Sequence, residues 1–164
     1  MTELKQNIRF GRADDGVRLA YSTMGKGPHL VRAAHCLTHL EYDLRNPLWR
    51  PWLAELSRHR TLVRYDPRGC GLSDRETGDL ALDRWVADLE TVVDAAGLER
   101  FALLGASQSG AIALPGTAWR CDWVARPACR RRSTNSSITA CCRRSGRRAA
   151  SARLRGAVRG TRLR

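Results

Sequence analysis

One stretch, Phe101 to Ala113, constrains the fold of this chain more than any other. The apolar run Phe101 to Leu104 is short enough for a buried strand and ends at Gly105. Ser107 follows, and small residues then begin a predicted helix. This layout is typical of a nucleophile elbow, a sharp turn that holds a serine hydroxyl where backbone N–H groups face developing negative charge. The same residues also fit a loop-to-helix junction at which Ser107 merely caps the helix.

The small residues around Ser107 favour a tight turn. Gly105 and the small side chain of Ser109 would let the strand and the helix approach closely. Ser109 stands where a second glycine is usual in such turns, and Gly110 comes one place late.

The net charge of +13 is concentrated in the last third of the chain of 164 residues. Residues 1–110 contain 15 Lys and Arg against 15 Asp and Glu, whereas residues 111–164 contain 14 Arg and one acid, Asp122. The length suits one domain with a real core. The balanced charge of residues 1–110 gives no reason to expect a nucleic-acid partner for that part.

The sequence predicts a cytoplasmic location for this protein. Residues 1–6 lack the apolar core of a signal peptide, and no stretch is long and apolar enough to span a membrane. Four of the six cysteines lie in the Arg-rich tail. The other two, Cys36 and Cys70, are predicted to be reduced thiols rather than a bridge.

Before Phe101, strand-like and helix-like segments alternate. This order predicts an α/β fold, in which an antiparallel hairpin precedes parallel strands covered by helices on both faces. The loops 35–46, 66–79 and 105–110 would then meet at the carboxyl ends of the strands, where ligands bind in such sheets. The predicted strands are 7–10, 17–23, 29–34, 61–65 and 101–104, and the predicted helices start at Pro47 and Leu82, the second ending before Gly97.

The turn after the fourth strand carries Asp66, Arg68, Gly69 and Gly71. Asp66 and Arg68 are interpreted as a structural pair that pins this turn, and the two glycines as positions with positive φ.

Two further groups of residues are interpreted as structural. His39, Glu41 and Asp43 are predicted to be solvated or ion-paired rather than to form a metal or acid–base site. The tryptophans are predicted to belong to the core: Trp49, Trp52 and Trp85.

With these motifs in order, the sequence resembles the α/β-hydrolases over about residues 7 to 114. The resemblance rests on the loop that follows the third strand, the turn from Asp66 to Ser73 and the Ser107 elbow. It is greatest to hydrolase-like domains that are fused to bacterial nucleotide cyclases or LuxR-type regulators. Three ordered motifs favour the elbow interpretation of Ser107 over the cap.

The resemblance implies roles for individual residues. Ser107 would attack a carbonyl carbon in a small ester- or amide-type substrate, and the N–H of Gln108 would be one oxyanion donor. The second donor would be the N–H of Leu37 or Cys36. His35 matches a histidine of the family's loop and is interpreted as holding that loop. The family chemistry needs neither metal nor organic cofactor.

A complete catalytic triad cannot be assembled in the order typical of the family, in which the acid and the histidine follow the serine. All four histidines precede Ser107, and Asp122 is the one acid after it. The chain is therefore expected to be inactive or nearly so. The alternative function is a non-catalytic hydrolase-like sensor or regulatory module.

The chain is divided into a partial hydrolase domain, residues 1–114, and an Arg- and Cys-rich tail, residues 115–164. The tail is predicted to be irregular, because it shows neither helical nor strand periodicity. Our hypothesis is that the native reading frame is lost near residues 114–118. Another frame of the coding DNA should then restore strands, an acid and a histidine, and their absence from both frames would refute it. A basic nucleic-acid arm and a zinc site are less favoured alternatives.

Overall fold

The computed structural model describes residues 4–35, 38–113, 132–134 and 137–143. A short 3₁₀ turn covers Tyr42–Leu44, and residues 109–113 are helical and are called here the elbow helix. The strands are β1 (Gln6–Arg12), β2 (Arg18–Met24), β3 (His29–Arg32), β4 (Thr61–Tyr65), β5 (Arg100–Ala106), β6 (Arg132–Thr134) and β7 (Ser137–Arg143), and the helices are α1 (Trp49–Ser57) and α2 (Leu82–Ala95).

The strands form one mixed sheet in the order β1-β2-β4-β3-β5-β7-β6. β1 and β2 make the predicted antiparallel hairpin, whose turn contains Gly16 at φ 90°. β3 lies between β4 and β5 and is parallel to both. The carboxyl ends of β3, β4 and β5 therefore meet at one edge, as the predicted α/β fold requires.

Alternating side chains of these strands feed two cores on opposite faces of the sheet. Val31, Val63 and Leu103 point to the face covered by α2 and the elbow helix. Leu30 and Leu62 point to the other face, where α1 packs. Helices on both faces agree with the sequence prediction.

Both helices form in the regions that the sequence predicts, but one tryptophan that was predicted to be buried is exposed. α2 ends at Ala95, and Gly97 at φ 66° follows as a C-terminal cap. The indole of Trp49 packs against the core, but Trp52, which was predicted to be buried, is 53% exposed. Leu53 takes the inward position of α1, and the helical step of about 100° per residue turns Trp52 toward solvent.

Two segments of the tail extend the sheet. β7 pairs antiparallel with the whole of β5, from Arg100 opposite Arg143 to Ala106 opposite Ser137, and β6 pairs with β7. The sequence predicts an irregular tail, whereas these segments are strands. β5 offers unpaired backbone groups on that side, and a run containing Ile138 and Thr139 has the β-branched residues that suit a strand. The rest of the tail lies outside the described residues.

Across the described part of the chain, each helix is too short or too polar to cross a bilayer.

Candidate active site

Ser107 occupies the turn between β5 and the elbow helix in a strained conformation. Its φ is 53°, and it is the one non-glycine residue with positive φ within the described ranges. A left-handed conformation costs about 1–2 kcal/mol for a residue with a Cβ. The residue is exposed at the carboxyl edge of the sheet, and its carbonyl oxygen accepts a hydrogen bond from Gly110 N at 3.0 Å.

Gly105 makes this turn possible by its lack of a side chain. A Cβ built there would lie 2.7 Å from the Cβ of Ala113 and 2.9 Å from the carbonyl oxygen of Ser109. Such distances are too short for real contacts, so a larger residue would push the elbow helix off β5. The close approach expected from the sequence is present.

Ser109 closes the turn through its side chain. Its hydroxyl is buried, accepts a hydrogen bond from Ala106 N at 2.8 Å and donates one to Ala106 O at 2.9 Å. Glycine could not make these bonds, so Ser109 replaces the usual second glycine with a residue that ties the helix start to the strand. Gln108, the proposed oxyanion donor, is exposed beside Ser107.

The loop that follows β3 begins beside the Ser107 turn. Ala33 N donates to Leu104 O at 2.9 Å, which keeps the chain against β5 after β3 has ended. His35 is the last described residue before the gap, and Cys36 and Leu37, the predicted second oxyanion donors, lie outside the described residues. The geometry thus brings His35 and Ser107 to the same edge of the sheet.

His35 is held by two neighbours. Its Nε2 is within hydrogen-bonding distance of an Arg32 guanidinium nitrogen, and its ring centroid is 5.1 Å from that of Trp49. Burial, and secondly the charge of Arg32, lower the pKa of His35 below its ordinary value. The two contacts join His35 to the end of β3 and to the start of α1.

Asp43, an acidic residue of the same loop, has structural partners. Asp43 is buried, forms an ion pair with Arg64 at 2.8 Å and accepts a hydrogen bond from Thr38 Oγ1. His39 stacks on Tyr42 with 4.1 Å between ring centroids. The ion-paired role predicted for Asp43 is confirmed, and its partner, Arg64, was not foreseen.

Asp66 pins the turn after β4 by accepting backbone hydrogen bonds. Its Oδ2 accepts from Leu40 N at 3.2 Å and from Leu72 N at 2.9 Å. Gly71 at φ 55° lies against this carboxylate, because a Cβ there would be 2.1 Å from Oδ2. Burial raises the pKa of Asp66 although these N–H groups oppose the shift. Asp66 thereby joins the loops that follow β3 and β4.

The predicted pairing of Asp66 with Arg68 is wrong. Arg68 instead makes two bonds to the carboxylate of Asp88 in α2, at 2.8 and 2.6 Å, and one to Asp15 at 2.8 Å. Gly69 has the predicted positive φ, at 80°. Asp66 Oδ2 accepts from backbone N–H groups, whereas Asp88 offers both of its carboxylate oxygens to Arg68. Asp88 was missed in the sequence, although it lies three residues after Trp85 and four before Val92, both of which pack in the core.

Other features of the described residues do not add chemistry at this edge. They contain no group of three or more His, Cys, Asp or Glu side chains placed to hold a metal ion. A cavity of about 650 Å³ lies between α1 and the hairpin, lined by Met24, Gly25 and Arg58 among others. Because Met24 pairs with Leu62 near the start of β4, this cavity is at the opposite edge of the sheet from Ser107.

The sheet order, the helices on both faces and the strained serine at the carboxyl edge define an α/β fold with a sharp strand-to-helix turn at Ser107. The family described as alpha/beta hydrolase fold matches residues 35–114. Residues 35–114, just under half of the chain, therefore match this family, and the fold is that of an α/β-hydrolase.

Three known proteins show the extent of the similarity. A 2-hydroxy-6-oxo-2,4-heptadienoate hydrolase from Pseudomonas putida is 40% identical over 67 residues, which are 40% of this chain and 24% of that protein. The structure of a hydrolase from Pseudomonas aeruginosa PA01 has a TM-score of 0.56 and 32% identity, covering 65% of this chain and 38% of the other. An α/β hydrolase from Sphaerobacter thermophilus has a TM-score of 0.56 and 28% identity, covering 67% and 40%. The chain thus spans less than half the length of each.

Proposed function

We propose that this chain carries the nucleophile part of a serine hydrolase site, with Ser107 as the attacking residue. The substrate class is a small molecule with an ester-, amide- or similar acyl bond. The observation that carries the proposal is the φ of 53° at an exposed serine that ends a buried parallel strand. Strain of this kind persists where the surrounding structure enforces it, and it is concentrated at functional sites.

The alternative role of Ser107 as a helix cap has less support. A capping serine has β-region backbone angles and binds a backbone N–H of the first turn through its side chain. Ser107 is left-handed instead, and the side-chain bonds to the backbone at this turn are those of Ser109. The strain at Ser107 is thus not explained by capping.

The chemistry follows from this placement. Attack by Ser107 Oγ forms a bond to the acyl carbon, and the leaving group departs with a proton, giving an acyl-enzyme that water hydrolyses to the acid. The N–H of Gln108, with that of Leu37 or Cys36, would stabilise the oxyanion. A base must take the hydroxyl proton, and no histidine follows Ser107 in the sequence. Turnover by these 164 residues alone is therefore expected to be very slow.

A second candidate function is a non-catalytic module with the hydrolase fold. It is favoured by the same lack of a histidine after Ser107. Sensor domains of the kind fused to nucleotide cyclases or LuxR-type regulators would keep the fold and a ligand-binding edge without needing a base.

Substitution of Ser107 by glycine and by alanine distinguishes an elbow from a cap. Ser107→Gly should raise the free energy of unfolding by roughly 1 kcal/mol, because glycine adopts positive φ without strain, and Ser107→Ala should change it little. Urea denaturation of both variants measures this. A helix cap would instead make both variants less stable than the unmodified protein, alanine by about 1 kcal/mol and glycine by a few tenths, and a loss of stability in Ser107→Gly would refute the elbow.

A further inference from the structure

Arg32, the last residue of β3, is a buried cation that contacts Trp49 and His35. It is 7% exposed, and its guanidinium carbon lies 4.8 Å from the centroid of the Trp49 ring. A guanidinium nitrogen of the same side chain is at hydrogen-bonding distance from His35 Nε2. Arg32, His35 and Trp49 therefore form one packed group at the carboxyl edge of the sheet.

The chemistry of the two groups decides which atom donates. A guanidinium has five N–H donors and no acceptor, and it stays charged in proteins. The bond to Arg32 can form only if His35 Nε2 offers its lone pair. An imidazolium has no lone pair to offer, and in the neutral ring the single proton must then be on Nδ1.

We propose that Arg32 is a positioning residue that keeps His35 neutral, with its proton on Nδ1 and the lone pair of Nε2 occupied. His35 is thereby a hydrogen-bond donor through Nδ1 and is excluded as a general base for Ser107. The importance of this role for catalysis rests on the proposed function, whereas the protonation state itself does not.

The charges around His35 act in the same direction. Arg32 is paired in register with Arg64 of β4, and the acid near both is Asp43, which bonds to Arg64. An imidazolium would add a third positive charge beside two buried guanidinium groups and one carboxylate. Burial and the charge of Arg32 lower the pKa of His35, and Asp43 opposes this only in part. The neutral ring is therefore the form that the site stabilises.

The register of the sheet places this group beside the nucleophile turn. Arg32 is opposite Leu104 in the parallel pair of β3 and β5. His35 and Ser107 each lie three residues after that pair, at the same edge. A histidine at the same edge as a serine nucleophile is a candidate base, and the bond from Arg32 occupies the lone pair of Nε2.

Long-range ¹H–¹⁵N NMR of the full chain tests this proposal, because it shows which ring nitrogen of His35 carries the proton. The His35 signals are identified by their loss in His35→Gln. At pH 8 we expect a protonated Nδ1 and an unprotonated Nε2. In Arg32→Met, which keeps the size but removes the donor, we expect the Nε2–H form to become populated and the pKa of His35 to rise. The exposed Arg58→Met is the matched control and should change neither.

An Nε2–H form in the unmodified protein would overturn the proposal even if Arg32→Met does not fold. An unchanged tautomer in a folded Arg32→Met would overturn it equally. The same spectrum is expected in Ser107→Ala, so a failure of the proposed serine chemistry would leave this result intact and the two outcomes are separable.

Discussion

Replacing Asp88 by alanine should destabilise the fold by about 3–5 kcal/mol, the cost of removing one partner of a buried ion pair. Asp88 is fully buried in α2, and Arg68, which it binds with both carboxylate oxygens, is 2% exposed. Without Asp88, Arg68 would keep Asp15 and the carbonyl of Asp79 as its partners among the described residues. A buried guanidinium with one side unpaired is the source of the expected loss, measured by urea denaturation.

The control for Asp88 is a pair of the same type on the surface. Asp14 binds Arg84 at 3.1 Å, and its side chain is 76% exposed. Asp14→Ala should cost under about 1 kcal/mol. Adding Arg68→Met to Asp88→Ala should recover part of the stability, since no unpaired charge remains. Equal effects of Asp14→Ala and Asp88→Ala would contradict a buried network that joins α2 to the turn after β4.

Replacing Gly105 by alanine should cost about 3 kcal/mol, the upper end of the range for overpacking. The added Cβ would be 2.7 Å from Ala113 Cβ and 2.9 Å from a backbone oxygen, so β5 and the elbow helix would have to separate. Because Ser107 lies between them, the turn should lose its left-handed geometry as well. Thermal unfolding followed by circular dichroism measures the stability change.

Two variants isolate the steric cause at Gly105. Gly78 has nothing within 4 Å of an added Cβ, so Gly78→Ala should change the stability by less than about 0.5 kcal/mol. Ala113→Gly removes the nearest atom and should partly rescue Gly105→Ala when the two are combined. Additive effects of these two substitutions would show that the contact with Ala113 is not the cause.

Structural features that depend on residues close together in the sequence could be predicted. β4 lies at 61–65 as predicted, because a β-branched and aromatic run ends at a proline turn. The Ser107 turn follows from an apolar strand that stops at Gly105. Side-chain partners could not be predicted, since Arg64 and Asp43 are 21 residues apart and Arg68 and Asp88 are 20 apart. Such pairs depend on sheet register and helix docking, which leave no local periodicity.

The tail shows a different limit of sequence reasoning. Periodicity gave no reason to expect β7, because a strand in the middle of a sheet needs no strict alternation of polar and apolar residues. What favours it is the neighbouring edge of β5, which is available only after the sheet has formed. Burial of Trp52 was predicted wrongly for a similar reason. The apolar residues of α1 occupy a wider face of the helix than the face that packs against the sheet, and Trp52 lies outside the packed face.

The most direct test of an elbow that lacks its own base is the reaction of Ser107 with a fluorophosphonate, followed by intact-protein and peptide mass spectrometry. We expect little labelling of the full chain in buffer, and a marked increase at Ser107 when imidazole is supplied as an external base. Ser107→Ala should abolish that increase. Rapid stoichiometric labelling of Ser107 without imidazole would contradict the claim that the chain lacks a base for this serine. No labelling of Ser107 with imidazole present would contradict the proposed nucleophile.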